Sequence, residues 1–453
     1  GSGFLPTEGT RCGTVLGPPR VCASMGSFLQ SVGAARGLQA PPLLAVAGAV
    51  AGVAVVGVSL RSLLKVPKLP LKDIESWARE LRGAPHDRPP LQGYTAFVTG
   101  ATAGIGHELS AVLFAMGATV VLLGRNLGKL KSTAAELRSR HPEAGGTIDF
   151  EVVDTADLES VAAAAKRLAA RYEQIDLLVN NAGMHYRSGM LRLWAPCASP
   201  QGYDLCFATN YLGHFLLTDL LGPRLRATPG SRLVHVSSTY HWQVSGVDLL
   251  PSCDHGSALE SAPWAAQADV KWPWWRLMQR NAAYGNSKLA QILHGRALRR
   301  AWGPDVRALS CCPLFVQTGM TRGLGPVLNF SFDATSGLYA ILGAALMPAK
   351  LLGDAGDFVT NGTVVSQVFP TRLLTSWPLS RTRLRELFTH ACAGLLLLLQ
   401  RRSYGCHLEA TSPESHDAKL ADAFYEWSLL AVSPYTSGRS DQLSGLHAAA
   451  AGA

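Results

Sequence analysis

Short apolar runs alternate with helix-forming stretches between residues 93 and 313, and this alternation limits the possible folds more than any other feature of the chain. The apolar runs are YTAFVTG, ATVVLLG, TIDFEVVD, IDLLVNNAG, SRLVHVSS and DVRALSCCP. The stretches between them, which have helical length, are 104–116, 126–140, 158–172, 204–226 and 284–302. Strands that alternate with helices form a parallel sheet with helices on both faces. The pattern therefore predicts an α/β fold, a doubly wound parallel sheet in a single domain.

The composition indicates a folded chain with free thiols. Of 453 residues, 47% are hydrophobic and 16% are charged, which allows a large core and excludes a disordered chain. The nine cysteines are odd in number and include no C-x-x-C pair. This argues against a disulfide framework or a zinc ribbon and favours a reducing compartment. His214, His235 and His241 lack the spacing of metal ligands, so we predict no metal site.

The net charge of +9 is concentrated near the start of the chain. Residues 1–72 hold seven basic residues and one acidic residue, so they carry +6 of this charge. The remaining residues are nearly balanced in charge and show no pattern typical of nucleic-acid binding. We therefore expect no nucleic-acid partner.

An uncharged stretch of 24 residues, 37–60, includes LLAVAGAVAGVAVVGVSL. A helix of this length spans roughly 30 Å, the thickness of a bilayer core. We predict a transmembrane helix that anchors the protein, with 1–36 as a leader or targeting segment; a buried helix and the apolar part of a cleaved presequence are the alternatives. Basic residues are denser after the stretch than before it, which places the bulk of the protein on the cytoplasmic side. We expect a single-pass protein of the endoplasmic reticulum, with a mitochondrial or plastid membrane as alternatives.

The segments on either side of the alternating region have a different composition. Residues 61–92 include several prolines and charges of both signs, and are predicted to be a linker near the membrane. The last residues, 436–453, are small and polar and are predicted to be a flexible tail.

A glycine-rich turn follows the first predicted strand directly and leads into a predicted helix. Glycines let the backbone turn tightly and approach a pyrophosphate, whose charge is favoured by the N-terminus of a helix. A turn of this kind between a strand and a helix predicts a dinucleotide site. The residues predicted to form it are Gly100, Thr102, Ala103, Gly104, Ile105 and Gly106.

The end of the second predicted strand distinguishes the two nicotinamide dinucleotides. An NAD site has a carboxylate there for the ribose hydroxyls, whereas this chain has Gly124, Arg125 and Asn126. Without that carboxylate nothing repels a 2′-phosphate, and the guanidinium of Arg125 can bind it. We predict that Arg125 and Asn126 contact the cofactor and that the cofactor is NADPH; the alternative is a solvated surface arginine.

Tyr284 and Lys288 are four residues apart on a predicted helix, so they share one face. A phenol with a pKa of about 10 is a poor base near neutral pH. A neighbouring ammonium and the positive nicotinamide ring stabilise the phenolate and bring its pKa closer to neutrality. We predict that Tyr284 is a catalytic acid/base supported by Lys288; the alternative is an ordinary helix face.

Three motifs, in order along the chain, resemble those of the short-chain dehydrogenase/reductases, a superfamily with a Rossmann-type doubly wound sheet. The motifs are T-G-x-x-x-G-I-G at 99–106, N-N-A-G at 180–183 and Y-G-N-S-K at 284–288. The resemblance implies an enzyme that transfers a hydride between a nicotinamide cofactor and a carbonyl or alcohol.

Further stretches resemble one branch of this superfamily, the retinol dehydrogenases and protochlorophyllide reductases. They are residues 202–217, S-K-L-A at 287–290 and the closing residues 424–428. The resemblance implies one domain over 93–435, with insertions near 245–280 and 355–415.

The resemblance also implies roles for residues that no local pattern identifies. Ser238 would hydrogen-bond the substrate carbonyl. Asn210 would hold a water in the proton path to Lys288, and the ammonium of Lys288 would also bind the nicotinamide ribose. Asp176 would brace its strand. The remaining cofactor contacts implied are Asp154 and Thr155 near the adenine, Asn180, Ala182 and Gly183 in the cleft, and Pro313, Val316 and Thr318 near the nicotinamide.

The chain departs from the family in two places. Leu314 follows Pro313 where the family has a glycine that lets the backbone approach the nicotinamide. Ser238 and Tyr284 are separated by a long connection that includes Trp264, Trp272, Trp274 and Trp275. This connection is predicted to be a lid over a lipophilic substrate, an interfacial belt, or a segment packed on its own domain.

Together these features predict a membrane-anchored, NADPH-dependent reductase of a carbonyl on a lipophilic substrate, a retinal-like aldehyde or a sterol-like ketone. The partners expected are this substrate, the lipid bilayer through 37–60, and a second copy of the chain or a membrane complex. Reduction of a ring double bond is an alternative chemistry. A reductase-like, nucleotide-binding structural subunit of a membrane complex, with little or no turnover, is the alternative of another class.

Overall fold

The computed structural model describes residues 69–185, 198–244, 273–314, 316–319, 332–353, 357–360, 406–408 and 411–436. The predicted leader 1–36, the predicted membrane segment 37–60 and nearly all of the predicted tail lie outside these residues, as do Trp264 and Trp272. In the part of the chain that is described, no helix combines the length and the apolar character needed to cross a bilayer.

One sheet of eight strands, in the order β3-β2-β1-β4-β5-β6-β7-β8, forms the centre of the domain. The first seven strands in this order are parallel, and β8 pairs antiparallel with β7. The predicted doubly wound parallel sheet is confirmed, with a strand at each of the six predicted positions. The strands are β1 (Thr95–Thr99), β2 (Thr119–Gly124), β3 (Thr147–Val152), β4 (Leu177–Asn180), β5 (Ser231–Val236), β6 (Val306–Cys312), β7 (Phe358–Thr360) and β8 (His407–Leu408).

Helices connect the strands and cover both faces of the sheet. A short helical turn, Leu205–Phe207, and a π-helical segment, Ala208–Leu212, lead directly into α5. The helices are α1 (Leu71–Arg82), α2 (Gly104–Ala115), α3 (Leu127–Arg140), α4 (Leu158–Arg171), α5 (Gly213–Arg226), α6 (Pro273–Trp302), α7 (Tyr339–Leu346), α8 (Ala349–Leu352) and α9 (Ala418–Val432).

The central strand β1 shows how the sheet separates two cores. Val98 pairs with Leu122 of β2 on one side and with Val179 of β4 on the other. Ala96 and Val98 are buried in one apolar cluster, whereas Phe97 between them is buried in the other. Because alternate side chains of a strand point to opposite faces, a strand that is apolar throughout must be covered on both sides.

The predicted linker 61–92 contains an ordered helix in its described part, which differs from the prediction. Ile74 and Ala78 of α1 are fully buried in the core, and Trp77 stacks on Tyr339 of α7 with ring centroids 5.6 Å apart. The charged residues that suggested a linker lie mostly on the exposed face of α1. An amphipathic helix buries one stripe of apolar residues and exposes the charges on its opposite face.

Two pairs of charged residues attach peripheral segments to the rest of the domain: one pair holds α1 and the other holds the segment before β7. The Asp176 carboxylate accepts hydrogen bonds from the Thr95 amide at 2.9 Å and from Arg82 of α1 at 3.2 Å, so it braces the start of its strand as predicted. Arg296 of α6 forms an ion pair with Asp357 next to β7.

The strands β7 and β8 lie within the predicted insertion 355–415 and pair with the sheet, so parts of this insertion extend the sheet.

Candidate active site

The glycine-rich turn after β1 forms a cradle that larger residues would fill. Gly100 and Gly104 have φ angles of +67° and +57°, in the left-handed region that favours glycine. A Cβ atom on Gly106 would lie 2.4 Å from the Gly100 carbonyl oxygen, and one on Gly100 would lie 2.9 Å from the Cα atom of Ala182. The helix α2 begins at Gly104, so its first amides adjoin this space. The cradle thus fits the pyrophosphate of a dinucleotide.

Thr99 joins the cradle to the N-N-A-G motif at the end of β4. Its buried hydroxyl accepts hydrogen bonds from the amides of Asn181 and Ala182, both at 2.9 Å. The Asn181 side chain donates to the Thr99 carbonyl at 2.8 Å. The structure therefore places Ala182 against the glycine turn, as a shared cofactor cleft requires.

Asn180 has a different position from the one predicted. Its side chain is fully buried, donates to the Thr218 hydroxyl of α5 at 2.9 Å and lies 3.3 Å from Nδ1 of His235. The amide group therefore joins the sheet to α5, and only the main chain of Asn180 remains for the predicted contact with a cofactor. The sequence did not reveal this because the two asparagines of the motif are adjacent at the end of the same strand.

The predicted adenosine side of the site lies at the ends of β2 and β3. Arg125 is exposed, and the Asn126 side chain accepts from the Lys129 amide at 2.9 Å, which caps α3. Asp154 accepts from the Ala156 amide at 3.0 Å. Thr155 is buried. Its carbonyl oxygen lies against the first residue of α5, because a Cβ on Gly213 would lie 2.0 Å from that oxygen. These contacts order both loops beside the cradle.

Ser238, Tyr284 and Lys288 come together above the ends of β5 and β6. The Ser238 and Tyr284 hydroxyl groups are hydrogen-bonded. The Lys288 Nζ atom lies 5.5 Å from the centre of the Tyr284 ring and donates to the Val236 carbonyl at 2.8 Å. The helix α6 thus presents the tyrosine and the lysine on one face, with the serine opposite the tyrosine.

Burial has opposite effects on the two titratable groups of this cluster. It raises the pKa of Tyr284, an effect that the hydrogen bond with Ser238 opposes. It lowers the pKa of Lys288 to about 8. In the protein alone, burial therefore opposes the predicted lowering of the phenol pKa, and Tyr284 is protonated near neutral pH, as a proton donor must be.

The π-helical segment Ala208–Leu212 places Asn210 beside this cluster. The Asn210 side chain accepts from the Met184 amide at 2.7 Å and donates to the Met184 carbonyl at 3.0 Å and to the Ser287 hydroxyl at 3.0 Å. It therefore fixes the loop after β4 against α6. π-Helical turns within α-helices occur frequently at functional sites.

Gln291, a residue that the sequence did not identify, connects Asn210 to Lys288. The Lys288 ammonium donates to Oε1 of Gln291 at 3.2 Å. Nε2 of Gln291 donates to the Asn210 carbonyl at 2.8 Å. A side-chain amide therefore connects Asn210 to Lys288 directly, and the water predicted at Asn210 stays a prediction. Its only sequence signal is its position three residues after the lysine, on the same helix face.

Two aromatic side chains that the sequence did not identify surround the Tyr284 ring. The His185 ring lies edge-on to it with centroids 4.5 Å apart, and the Tyr240 ring does so at 5.2 Å. His185 follows the N-N-A-G motif by two residues, and Tyr240 follows Ser238 by two residues. These offsets were the only signal available. The two rings thus pack against the Tyr284 ring and restrict its orientation.

The segment after β6 closes the other side of the cradle. A Cβ on Gly104 would lie 3.2 Å from Cγ2 of Thr318, so Thr318 adjoins the glycine turn. Pro313 and Val316 precede Thr318 in the same segment of the chain. Leu314 has a φ angle of +63°. The backbone therefore keeps a conformation suited to the glycine of the family, although a leucine occupies the position.

Among the residues described in the ranges above, no group of three or more histidines, cysteines and carboxylates could hold a metal ion. The described cysteines, 206, 311, 312 and 406, are thiols and not members of disulfides.

Comparison with known proteins gives consistent matches. Residues 94–246 match the sequence model of the short chain dehydrogenases. The chain is 30% identical over 262 residues to human retinol dehydrogenase 13, covering 56% of this chain and 68% of that protein. It is 35% identical over 261 residues to mouse polyprenol dehydrogenase, covering 55% and 69%.

Other matches cover different shares of the chain. An uncharacterized oxidoreductase of Schizosaccharomyces pombe is 35% identical over 248 residues, and the match covers 52% of this chain and 64% of that protein, slightly less than two thirds of its length. The crystal structure of an uncharacterized protein from Mycobacterium paratuberculosis aligns with a TM-score of 0.49 and 24% identity, covering 77% of this chain and 96% of that one.

Proposed function

The chain belongs to the short-chain dehydrogenase/reductase family, and on this premise we propose that it is a membrane-anchored, NADPH-dependent oxidoreductase that reduces a carbonyl on a lipophilic substrate. The observation that carries the proposal is the cluster of Ser238, Tyr284 and Lys288 beside the glycine cradle. A structural subunit has no need of a protonated phenol held between a hydroxyl and an ammonium.

Each residue of the cluster has a separate role in the protonation of a substrate oxygen. The Ser238 hydroxyl would donate a hydrogen bond to the carbonyl oxygen while Tyr284 delivers its proton to the same oxygen. The ammonium of Lys288 stabilises the phenolate that remains. A bound NADPH would supply the hydride for the carbonyl carbon. The rings of His185 and Tyr240 pack edge-on against the Tyr284 ring and hold it in place.

The preference for NADPH rests on Arg125. The residue is exposed at the end of β2, and no carboxylate occupies the adjoining positions 124 and 126. We expect Arg125→Ala to weaken NADPH binding at least about tenfold, since a hydrogen bond to a charged group contributes roughly 1.5–3 kcal/mol, and to leave NADH binding unchanged. Titration of both dinucleotides measures this, with the exposed Lys131→Ala as control. Tighter NADH binding by the wild type would overturn the preference.

The substrate class rests on similarity and on the sequence. Similar proteins carry the names retinol dehydrogenase and polyprenol dehydrogenase, after two lipophilic alcohols. The predicted membrane segment 37–60 would hold the domain beside a bilayer, where such substrates concentrate. Retinal-like aldehydes and sterol-like ketones are the proposed substrates. The proposed location is the endoplasmic reticulum, with the domain facing the cytoplasm.

The deciding experiment is NADPH consumption by the detergent-solubilised protein with retinal, sterol ketones and long-chain isoprenoid aldehydes. Substrate-dependent turnover should be lost in Tyr284→Phe, while NADPH binding is retained. The matched control Tyr435→Phe, close to the end of the described chain, should keep full turnover. Turnover that survives in Tyr284→Phe would contradict the assignment.

Leu314 favours one second candidate, a nucleotide-binding structural subunit of a membrane complex. A side chain at this position narrows the approach of the backbone to a nicotinamide. Tight NADPH binding without turnover on any of these carbonyls would support that candidate.

A further inference from the structure

Gln291 lies at the centre of a buried set of hydrogen bonds between two helical segments. The residue is fully buried, and each end of its amide has a polar partner. Its oxygen accepts from Lys288 at 3.2 Å and its nitrogen donates to the Asn210 carbonyl at 2.8 Å. The same carbonyl accepts a second hydrogen bond, at 2.9 Å, from Nδ1 of His214. A buried amide whose two ends are both used has one orientation only.

The fixed orientation of the Gln291 amide determines how the three N–H donors of Lys288 are used. An ammonium has three N–H donors. The Val236 carbonyl takes one and Gln291 takes another, which leaves the third for an acceptor in the cleft. Since two fixed acceptors determine the direction of the third donor, Gln291 sets where Lys288 can bind.

We propose that Gln291 is a positioning residue that holds the Lys288 ammonium toward Tyr284 and the nicotinamide ribose. The inference rests on the proposed function, because it concerns the same site. A neutral acceptor is needed there, since a carboxylate would pair with the ammonium and cancel its effect on the phenol.

Among the residues that the structure describes, the groups that face Lys288 include no carboxylic acid that could replace this acceptor. They are thiols, imidazoles and a phenol. Burial raises the pKa of Cys206, Cys311 and Tyr284 and lowers the pKa of His214 and His235, so these five groups are neutral near neutral pH. The charged form of Lys288 therefore depends on the Gln291 oxygen and the Val236 carbonyl. The facing groups are Cys206, Cys311 and Cys312, His214 and His235, and Tyr284 on the same helix.

The test measures NADPH affinity against pH, without substrate, in the full-length protein carrying Gln291→Met or Gln291→Glu. Methionine has a similar volume and no strong acceptor, so the alkaline loss of affinity should move about one pH unit lower. Glutamate stabilises the ammonium, so the loss should move about one unit higher. The exposed Gln92→Glu is the matched control and should leave the profile unchanged.

Turnover gives a second readout that separates this inference from the proposed function. We expect kcat for carbonyl reduction to fall at least about tenfold in both variants, with little change in KM for the carbonyl. A wild type without turnover whose variants still shift the affinity profile in opposite directions contradicts the function and supports the inference. Profiles that do not move, or that move in the same direction, overturn it. If Gln291→Met does not fold, Gln291→Asn takes its place, with the same downward shift expected because the shorter amide cannot reach both partners.

Discussion

The ammonium of Lys288 lies 5.5 Å from the centre of the Tyr284 ring, one turn further along α6. Both groups are buried, and burial lowers the pKa of Lys288 to about 8. The positive charge that supports the phenol is thus present at neutral pH and is lost in mildly alkaline solution.

This relationship predicts the pH dependence of reduction. Below pH 8 the amine is protonated and the phenol holds its proton, so the rate is high; above pH 8 the ammonium is lost and the rate should fall. Lys288→Arg should lower kcat but remove the decline near pH 8, because an arginine stays charged. Profiles of kcat and of kcat/KM from pH 6 to pH 10 measure the two effects. A decline that persists at the same pH in the arginine variant would assign it to another group.

Buried histidines predict that the fold is sensitive to acid. Burial lowers the pKa of His214 and His241 to about 4 and that of His294 to about 3. Between pH 6.5 and pH 4 the unfolded chain binds protons that the folded chain does not, so stability falls as the pH falls. Each such histidine should contribute a loss of about 2 kcal/mol between pH 7 and pH 5.

A single substitution can isolate one of these contributions. His294 packs on Phe215 with ring centroids 4.6 Å apart, so His294→Phe keeps an aromatic ring and removes the titration. The difference in unfolding free energy between pH 7 and pH 5, from urea denaturation, should shrink by about 2 kcal/mol. The exposed His86→Gln should leave it unchanged. An unchanged difference in His294→Phe would show that His294 does not contribute to the acid sensitivity.

The backbone conformation of Leu314 predicts that glycine gives a more stable protein than alanine at this position, which is the reverse of their usual order. At a φ angle of +63°, a residue with a Cβ atom is strained by about 1–2 kcal/mol, and glycine is not. Both Leu314→Gly and Leu314→Ala remove the same packing against Cys312 and Phe358. We expect the glycine variant to be more stable than the alanine variant by about 1 kcal/mol. Chemical denaturation compares them; an alanine variant of equal or greater stability would exclude the strain.

Arg296 predicts a strong coupling between α6 and the late part of the chain. Its guanidinium pairs with Asp357 and donates to the Ser415 carbonyl and the Thr411 hydroxyl. The pair is mostly buried, with 12% and 17% of the two side chains exposed. Asp357→Asn should lower the free energy of unfolding by about 3 kcal/mol, because it leaves a buried charge without its partner.

A double-mutant cycle checks this coupling. Arg296→Met with Asp357→Asn should cost clearly less than the sum of the two single variants. The exposed pair of Arg300 and Asp422, with 43% and 59% exposure, supplies the control. Asp422→Asn should change stability by less than about 1 kcal/mol. Additive effects at Arg296 and Asp357 would show that the pair contributes no coupling.

Local sequence patterns were sufficient to predict the framework of this protein. The strands β1 to β6, the glycine turn at Gly100 and the shared face of Tyr284 and Lys288 follow from periodicity, turn chemistry and helical spacing. Each of these depends on residues close together in the chain. Such patterns report which residues are buried, but they do not report their partners.

Tertiary contacts decided the rest. The helix α1 is ordered because Trp77 stacks on Tyr339, which is far away in the sequence. Asn180 faces the interior because Thr218 and His235 accept hydrogen bonds from its side-chain amide there. Gln291 reaches Asn210 across 81 residues, and Leu314 takes a glycine conformation that no local preference of leucine supports. The amino-acid sequence by itself thus determined the sheet and the chemical groups of the site. Only packing between distant segments determined which of those groups meet.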